Sequence, residues 1–343
     1  SRDREATHLL SIGCSCRDRT LRDPRAADAA VPATGGPADM ALPRPRPGAA
    51  GVLALLASRA LALQAPLRPQ AASSPGGRGP ARRYYRQRLR NHGDMQYLAN
   101  VTVGNQLVFG VPDTGSFELL VFSAHCRTCG DTSGYYRPEA SPGYVQGGIE
   151  TSHSFGSGNT HSQEAFDSVQ FGPLLVEKQY FWEVVSAEMP ILSDGIIQAV
   201  VGLGPPRQPA KAAELEARRA GELVSALQRN GSEVPARLEK AAGHIASLAE
   251  ELALQDGLLE SLGVQVFSVC LQRKEGSEGY LVWNDADPRQ RQHVFTHVEV
   301  SGEATWGVKL RGAAIRGGRA HQDEALGCSG GCGAIVDTGT SLL

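Results

Sequence analysis

The chain carries almost no net charge: 34 Lys and Arg stand against 36 Asp and Glu, a formal charge of -2 over 343 residues. Without a basic excess, nothing global in the sequence calls for nucleic acid as a partner. Long apolar runs are also scarce, and beyond residue 65 no stretch is long and apolar enough to read as a transmembrane helix. Metal-ligand spacing is lacking as well. None of the nine His stands at zinc-knuckle spacing from a cysteine pair, so no metal and no cofactor is assigned. Cysteines are few, seven in all. Cys14 and Cys16 lie in an N-terminal stretch without apolar periodicity. Cys126 and Cys129 form one close pair, Cys328 and Cys332 another, and Cys270 stands apart. Two local disulfides and a buried free thiol is the preferred reading; a zinc site built from CxxC and CxxxC is its rival. A redox role for the CxxC lacks the βαβ context it needs.

What is present is turn chemistry. Forty Gly and twenty Pro punctuate a chain that is 41% hydrophobic, enough for two domains or one large bilobed one with a sizeable core. From Tyr97 onward, Val, Leu and Phe alternate with small or polar residues between glycines, the texture of short strands and tight turns. Between residues 207 and 262 the texture switches. Leu223 and Leu227, then Leu238, Ile245, Leu248 and Leu252, recur at helical spacing and predict two amphipathic helices broken at "RNGSEVP". Core or lid packing is the commoner fate of such helices; a coiled-coil contact is the other.

The N-terminal part reads differently. Met40 opens "MALPRPRPGAAGVLALLASRALALQAP", a basic start, an apolar centre and small residues, the layout of a secretory signal peptide over 40–65. Residues 1–39 are then an unstructured leader or translated non-coding sequence; a disordered leader containing a short core helix is the alternative. Residues 66–92 read as a linker that ends in a basic run, Arg82, Arg83, Arg86, Arg88 and Arg90, around Tyr84 and Tyr85. A nucleic-acid site, a solvated tail and a basic pro-segment lying over an acidic cleft are the three readings of that run.

One short motif occurs twice. Asp113-Thr114-Gly115-Ser116 and Asp337-Thr338-Gly339-Thr340 each follow an apolar run. By chance, two Asp-Thr-Gly triplets in one such chain are expected on the order of once in a thousand sequences. The chemistry explains the residue types. Two carboxylates close together cannot both ionise cheaply and so share a proton; one can then take a proton from water while the other polarises a carbonyl. The glycines allow a tight turn and close backbone approach. The hydroxyls can brace the loops and orient the carboxylates.

With these loops, the sequence from Tyr97 to Leu343 resembles the pepsin-like aspartic proteases. "YLANVTVGNQLVFGVPDTGS" is similar to the family's first strands and first catalytic loop, and "CSGGCGAIVDTGTSLL" to its second. "HSFGSGNT", residues 153–160, resembles the flap hairpin that closes over substrate, with Phe155, Gly156 and Ser157 at its tip. The resemblance implies a mainly β, bilobal pepsin-like acid protease fold with double-psi-type barrel lobes. The N-terminal lobe would span 93–294 with a helical insertion at 207–262, and the C-terminal lobe would only begin, at 295–343. It implies Asp113 and Asp337 as the catalytic pair, Ser116 and Thr340 as the hydroxyls beside them, and Thr114 and Thr338 as cross-braces. Cys126–Cys129 resembles the family's small loop disulfide and Cys328–Cys332 the one before the second loop. The implied protein is a monomeric endopeptidase of the secretory pathway, secreted or in an acidic vacuole- or lysosome-like compartment. Its partners are a peptide or protein substrate and its own basic pro-segment, with no nucleic acid. A weak or inactive peptide-binding relative is the alternative.

The sequence departs from that pattern in several places. Phe155 and Leu120 stand where the family has a Tyr and a Trp joined by a hydrogen bond. Pro112 directly precedes the first Asp and removes a backbone donor. The family's chain continues past the second loop, so a C-terminal truncation is expected, with exposed apolar strand edges.

Overall fold

The computed structural model describes residues 9–12, 84–272, 274–285, 296–302, 304–315 and 324–341. The expected signal peptide, Cys14, Cys16, Arg82 and Arg83 lie outside the described residues.

Among the described residues, sixteen strands and three α-helices follow one another. The strands are β1 (Leu9–Ile12), β2 (Tyr85–His92), β3 (Gln96–Val103), β4 (Gln106–Asp113), β5 (Leu119–Phe122), β6 (Val145–Phe155), β7 (Gly158–Phe171), β8 (Leu174–Glu188) and β9 (Ala199–Gly202). Then come α1 (Gln208–Arg229), α2 (Ala236–Ala253) and α3 (Leu258–Ser261). The last strands are β10 (Phe267–Cys270), β11 (Gly279–Trp283), β12 (Thr296–Glu299), β13 (Gly307–Leu310), β14 (Ala313–Ile315), β15 (Glu324–Gly327) and β16 (Cys332–Ile335).

Ten strands form one sheet in the order β10-β11-β2-β3-β4-β9-β5-β8-β7-β6. It curls until β7 meets β3 again, with Thr102 opposite Gln170 and Val103 opposite Val169. Six strands thus close on themselves, which leaves no free edge around that ring. The two-residue period of a strand divides the core. In "LLVF", Leu119 and Val121 join a cluster with Val101, Phe181 and Val201, while Leu120 and Phe122 join a second with Trp182 and Val184. All four are buried, as the unbroken apolar run requires.

Three expectations change here. The basic run is not a linker, because Tyr85–His92 is a central strand of the sheet, paired with β3 and β11. Its alternation is the strand period. Gln87 and Leu89 are buried, and Trp283 Nε1 donates to Gln87 Oε1 at 2.9 Å. Arg86, Arg88 and Arg90 point outward, to the Tyr280 ring, to Glu278 and to the Phe109 ring. Within the leader 1–39, Leu9–Ile12 pairs with β12, so these four residues are not unstructured; their backbone groups satisfy those of Thr296–Glu299. Cys270 is half-buried rather than buried.

The two helices form as their periodicity predicts. Proline near the start of α1 costs nothing there, because the first N–H groups of a helix have no internal partner. Gly231, with φ of 67°, lets the chain turn out after Asn230. Ala210, Ala213, Leu248 and Leu252 pack against the second cluster, whereas Leu223 stays exposed. No described helix is long and apolar enough to cross a membrane.

From residue 296 onward the described strands are three short pairs: β1–β12, β13–β16 and β14–β15. They carry exposed apolar residues, Ile315, Leu326 and Ile335. Trp306 fastens this part to the large sheet by donating from Nε1 to the Leu203 carbonyl at 2.7 Å.

Candidate active site

Strand β4 ends on Asp113, and β16 leads two residues later to Asp337. Pro112 does not disturb β4. The strand runs parallel to β9, Pro112 sits opposite Val201, and the missing N–H is not needed for that register. Its carbonyl is put to use, since Thr338 Oγ1 donates to it at 2.6 Å. That bond is one of four that cross between the loops. Thr114 Oγ1 donates to the Val336 carbonyl at 2.7 Å, the Thr114 N–H donates to Thr338 Oγ1 at 3.1 Å, and the Thr338 N–H donates to Thr114 Oγ1 at 3.0 Å. Each hydroxyl thus both donates and accepts, and each satisfies a backbone group of the opposite loop.

The brace brings the carboxyls together. Gly115 N–H donates to Asp113 Oδ1 and Gly339 N–H to Asp337 Oδ1, both at 2.8 Å. The glycines are required by space. A Cβ on Gly115 would lie 2.7 Å from Asp337 Cγ, and one on Gly339 would lie 2.6 Å from Asp113 Cγ. Each glycine therefore admits the carboxyl of the other loop. Gly339→Ala is expected to leave the barrel folded but to push the carboxyls apart. A reaction that needs both carboxyls in place should fall about a hundredfold, because displacement of reacting groups by about 1 Å costs that much. Steady-state kinetics beside a thermal melt checks this; full activity in Gly339→Ala would show that the close approach is not needed.

The two acids sit in different surroundings. Asp113 is buried and Asp337 half-buried. Burial pushes Asp113 up to about 6; the Asp337 carboxyl adds to the rise, while the Ser116 hydroxyl and the Gly115 N–H oppose it. Asp337 moves below its ordinary value. Burial works against that shift, but Thr340, Asp113 and the N–H groups of Gly339 and Gly115 outweigh it. The hydroxyls differ too. Thr340 Oγ1 donates to Asp337 Oδ2 at 2.5 Å, whereas the Ser116 hydroxyl favours the charged form of Asp113 without a hydrogen bond of normal geometry.

The segment expected to be a flap is a hairpin of β6 and β7, with Phe155 opposite Gly158 and Gly156-Ser157 between them. Gly158, with φ of 139°, lies where the Glu188 carbonyl would strike any side chain. Phe155 packs against the cluster that buries Leu120. Removing both polar partners of a hydrogen bond and packing apolar groups in their place leaves no buried donor unmet.

Both close cysteine pairs are disulfides, Cys126–Cys129 and Cys328–Cys332, which rules out a zinc site shared between them. Sequence reasoning missed Glu118 and His153. Glu118 follows Asp113 by five residues, and its carboxylate takes hydrogen bonds from Tyr180, Trp182 and His153. The visible signal was a glutamate in an otherwise apolar "FELLVF" and a histidine two residues before Phe155, on the same face of its strand.

A family model described as eukaryotic aspartyl protease matches residues 96–225 and 245–343. Cathepsin E-A of Xenopus laevis is 28% identical over 261 residues, covering 74% of this chain and 55% of its own length. Cathepsin D of Clupea harengus is 27% identical over 262 residues, covering 74% and 56%. Renin of Ovis aries is 26% identical over 264 residues, covering 74% and 55%. The chain spans about half the length of these relatives.

Proposed function

Because the chain belongs to the eukaryotic aspartyl protease family, we propose that it is an aspartic endopeptidase, with Asp113 and Asp337 as its catalytic pair. The crossed threonine bonds carry this reading, since they hold two carboxyls from residues 224 apart within reach of one proton. In the singly protonated pair, the ionised carboxyl takes a proton from water as the water attacks the scissile carbonyl. The protonated carboxyl donates to the carbonyl oxygen. Collapse of the tetrahedral adduct returns a proton to the leaving nitrogen, and the pair ends with one proton again. An extended peptide would lie beneath the 153–160 hairpin, Phe155 offering it an apolar face. The raised Asp113 suits an acidic compartment, reached by the secretory route.

Hydrolysis of an unfolded protein below pH 6, blocked by a peptide with a secondary alcohol in place of the scissile carbonyl, tests the assignment. Tight binding of that peptide without hydrolysis would identify a peptide-binding relative instead.

A removable basic pro-segment, if cut, would end upstream of Tyr85. Loss of β2 would unpair β3 and β11 and take the buried Gln87 and Leu89 out of the core. After acid incubation, the new N-terminus is expected at or before Tyr85. A product starting near Gly93 that keeps its melting temperature would contradict this placement.

A further inference from the structure

Glu118 is a carboxylate taken largely out of water, its side chain 15% exposed. Such a group is expensive unless it is hydrogen-bonded. Two of its donors, Tyr180 OH and Trp182 Nε1 at 2.7 Å, come from β8 and converge on Oε1. The other oxygen, Oε2, is met at 3.1 Å by Nε2 of His153, a residue of β6 in the flap hairpin. The His153 side chain is 18% exposed, and its Nδ1 is buried without a hydrogen-bond partner, so Glu118 is the ring's polar anchor. The ring lies edge-on to Trp182 at 5.5 Å and stacks beside Phe155 at 6.4 Å.

The chain positions matter. Glu118 stands between the Asp113 loop and β5, and its own carbonyl accepts from the Gly202 N–H at 3.1 Å. It is therefore fixed to the strand beside the loop that carries Asp113. His153 is two residues from the tip residue Phe155. A bond between them ties the tip of a long hairpin to the base of the site, where Phe155 and Leu120 have no polar groups for one.

We propose that His153 and Glu118 are positioning residues that latch the 153–160 hairpin over the Asp113 loop and so hold peptide substrate. The role in holding substrate rests on the endopeptidase reading; the latch itself does not. Neither residue touches the reacting carboxyls, so the latch should act on substrate retention more than on the chemical step.

The test uses the full chain and two readouts. Hydrogen exchange by mass spectrometry follows amides 150–163 of the hairpin and, as a folding control, amides 97–103 of β3. In His153→Ala the hairpin amides should exchange about tenfold faster while β3 is unchanged. His153→Gln, which keeps a donor, should restore at least part of the protection. Glu118→Gln should match His153→Ala, and if it fails to fold, the two His153 variants carry the test alone. Unchanged hairpin exchange in His153→Ala, or no rescue by Gln, would overturn the latch. The second readout is kinetic. KM should rise about tenfold in His153→Ala with kcat within about twofold, and His153→Gln should lie between. A fall in kcat at constant KM would overturn the positioning role. If the wild-type chain does not hydrolyse peptide at all, the endopeptidase reading fails while the exchange result still decides the latch.

Discussion

Asp113→Asn is expected to abolish hydrolysis and, at neutral pH, to make the fold more stable. The first effect follows from the shared proton. An amide neither takes a proton from water nor gives one to a carbonyl oxygen, so the rate should fall at least about a thousandfold, the scale seen when a member of a catalytic unit is removed. The second follows from linkage. The folded state raises Asp113 to about 6 from an ordinary 3.8, chiefly by burial. A raised carboxyl contributes stability that is fully present below about 3.8 and is lost as pH rises through about 6. The upper limit of that loss is roughly 3 kcal/mol, from about 1.4 kcal/mol per pH unit. Asparagine is neutral throughout and nearly the same shape. Wild type should therefore melt lower at pH 7.5 than at pH 5 by more than the variant does, and at pH 7.5 the variant should melt a few degrees higher. In wild type, hydrolysis should fall as pH rises above about 6, when the pair loses its proton. It should fall again at low pH as Asp337, held below its ordinary value, is protonated. An Asp113→Asn protein that keeps its rate, or a wild-type rate that climbs through pH 7, would remove Asp113 from the chemistry.

Thr338→Val is expected to cost both stability and rate, although the shape is nearly conserved. The hydroxyl accepts from the Thr114 N–H and donates to the Pro112 carbonyl. Valine leaves both groups unpaired between the loops, a loss of about 1–3 kcal/mol. The loops should also drift apart, relieving the repulsion between carboxyls, so that Asp113 titrates lower than in wild type. Hydrolysis should fall roughly a hundredfold. Thr338→Ser keeps the hydroxyl and should recover most of both. The Thr114→Val, Thr338→Val double variant should lose less than the sum of the single variants, because each already breaks part of the same network. Strict additivity, or a Thr338→Val protein with wild-type rate and melting temperature, would show that the brace does not position the pair.

Much of this site was legible because its signals are local. Each Asp-Thr-Gly loop is a few residues long, and the need for a partner loop follows from the chemistry of one carboxylate beside another. The hairpin at 153–160 announces itself by its glycines, and the helices by their leucine spacing. What stayed hidden depends on distant chain segments. Glu118 meets donors 35, 62 and 64 residues away, and nothing in "FELLVF" tells where they come from. The basic run differs for another reason. It reads as a pro-segment or linker, yet in "YRQRLRNH" Arg86, Arg88 and Arg90 alternate with Gln87 and Leu89, which face inward. Period outweighed composition there. Pro112 looked like an obstacle because a strand was assumed to need its N–H; in the parallel register with β9, its carbonyl is the group that matters.

The most direct measurement is titration of the aspartate carboxyl carbons by NMR in chain labelled at Asp Cγ, with Asp113→Asn and Asp337→Asn used for assignment. Two coupled steps are expected, one near 6 and one below the ordinary aspartate value. Asp113→Asn should abolish the step near 6, and Asp337→Asn should lower it while leaving Asp113 raised by burial. Two independent titrations near 4, each unchanged when the other residue is replaced, would contradict a proton shared between Asp113 and Asp337.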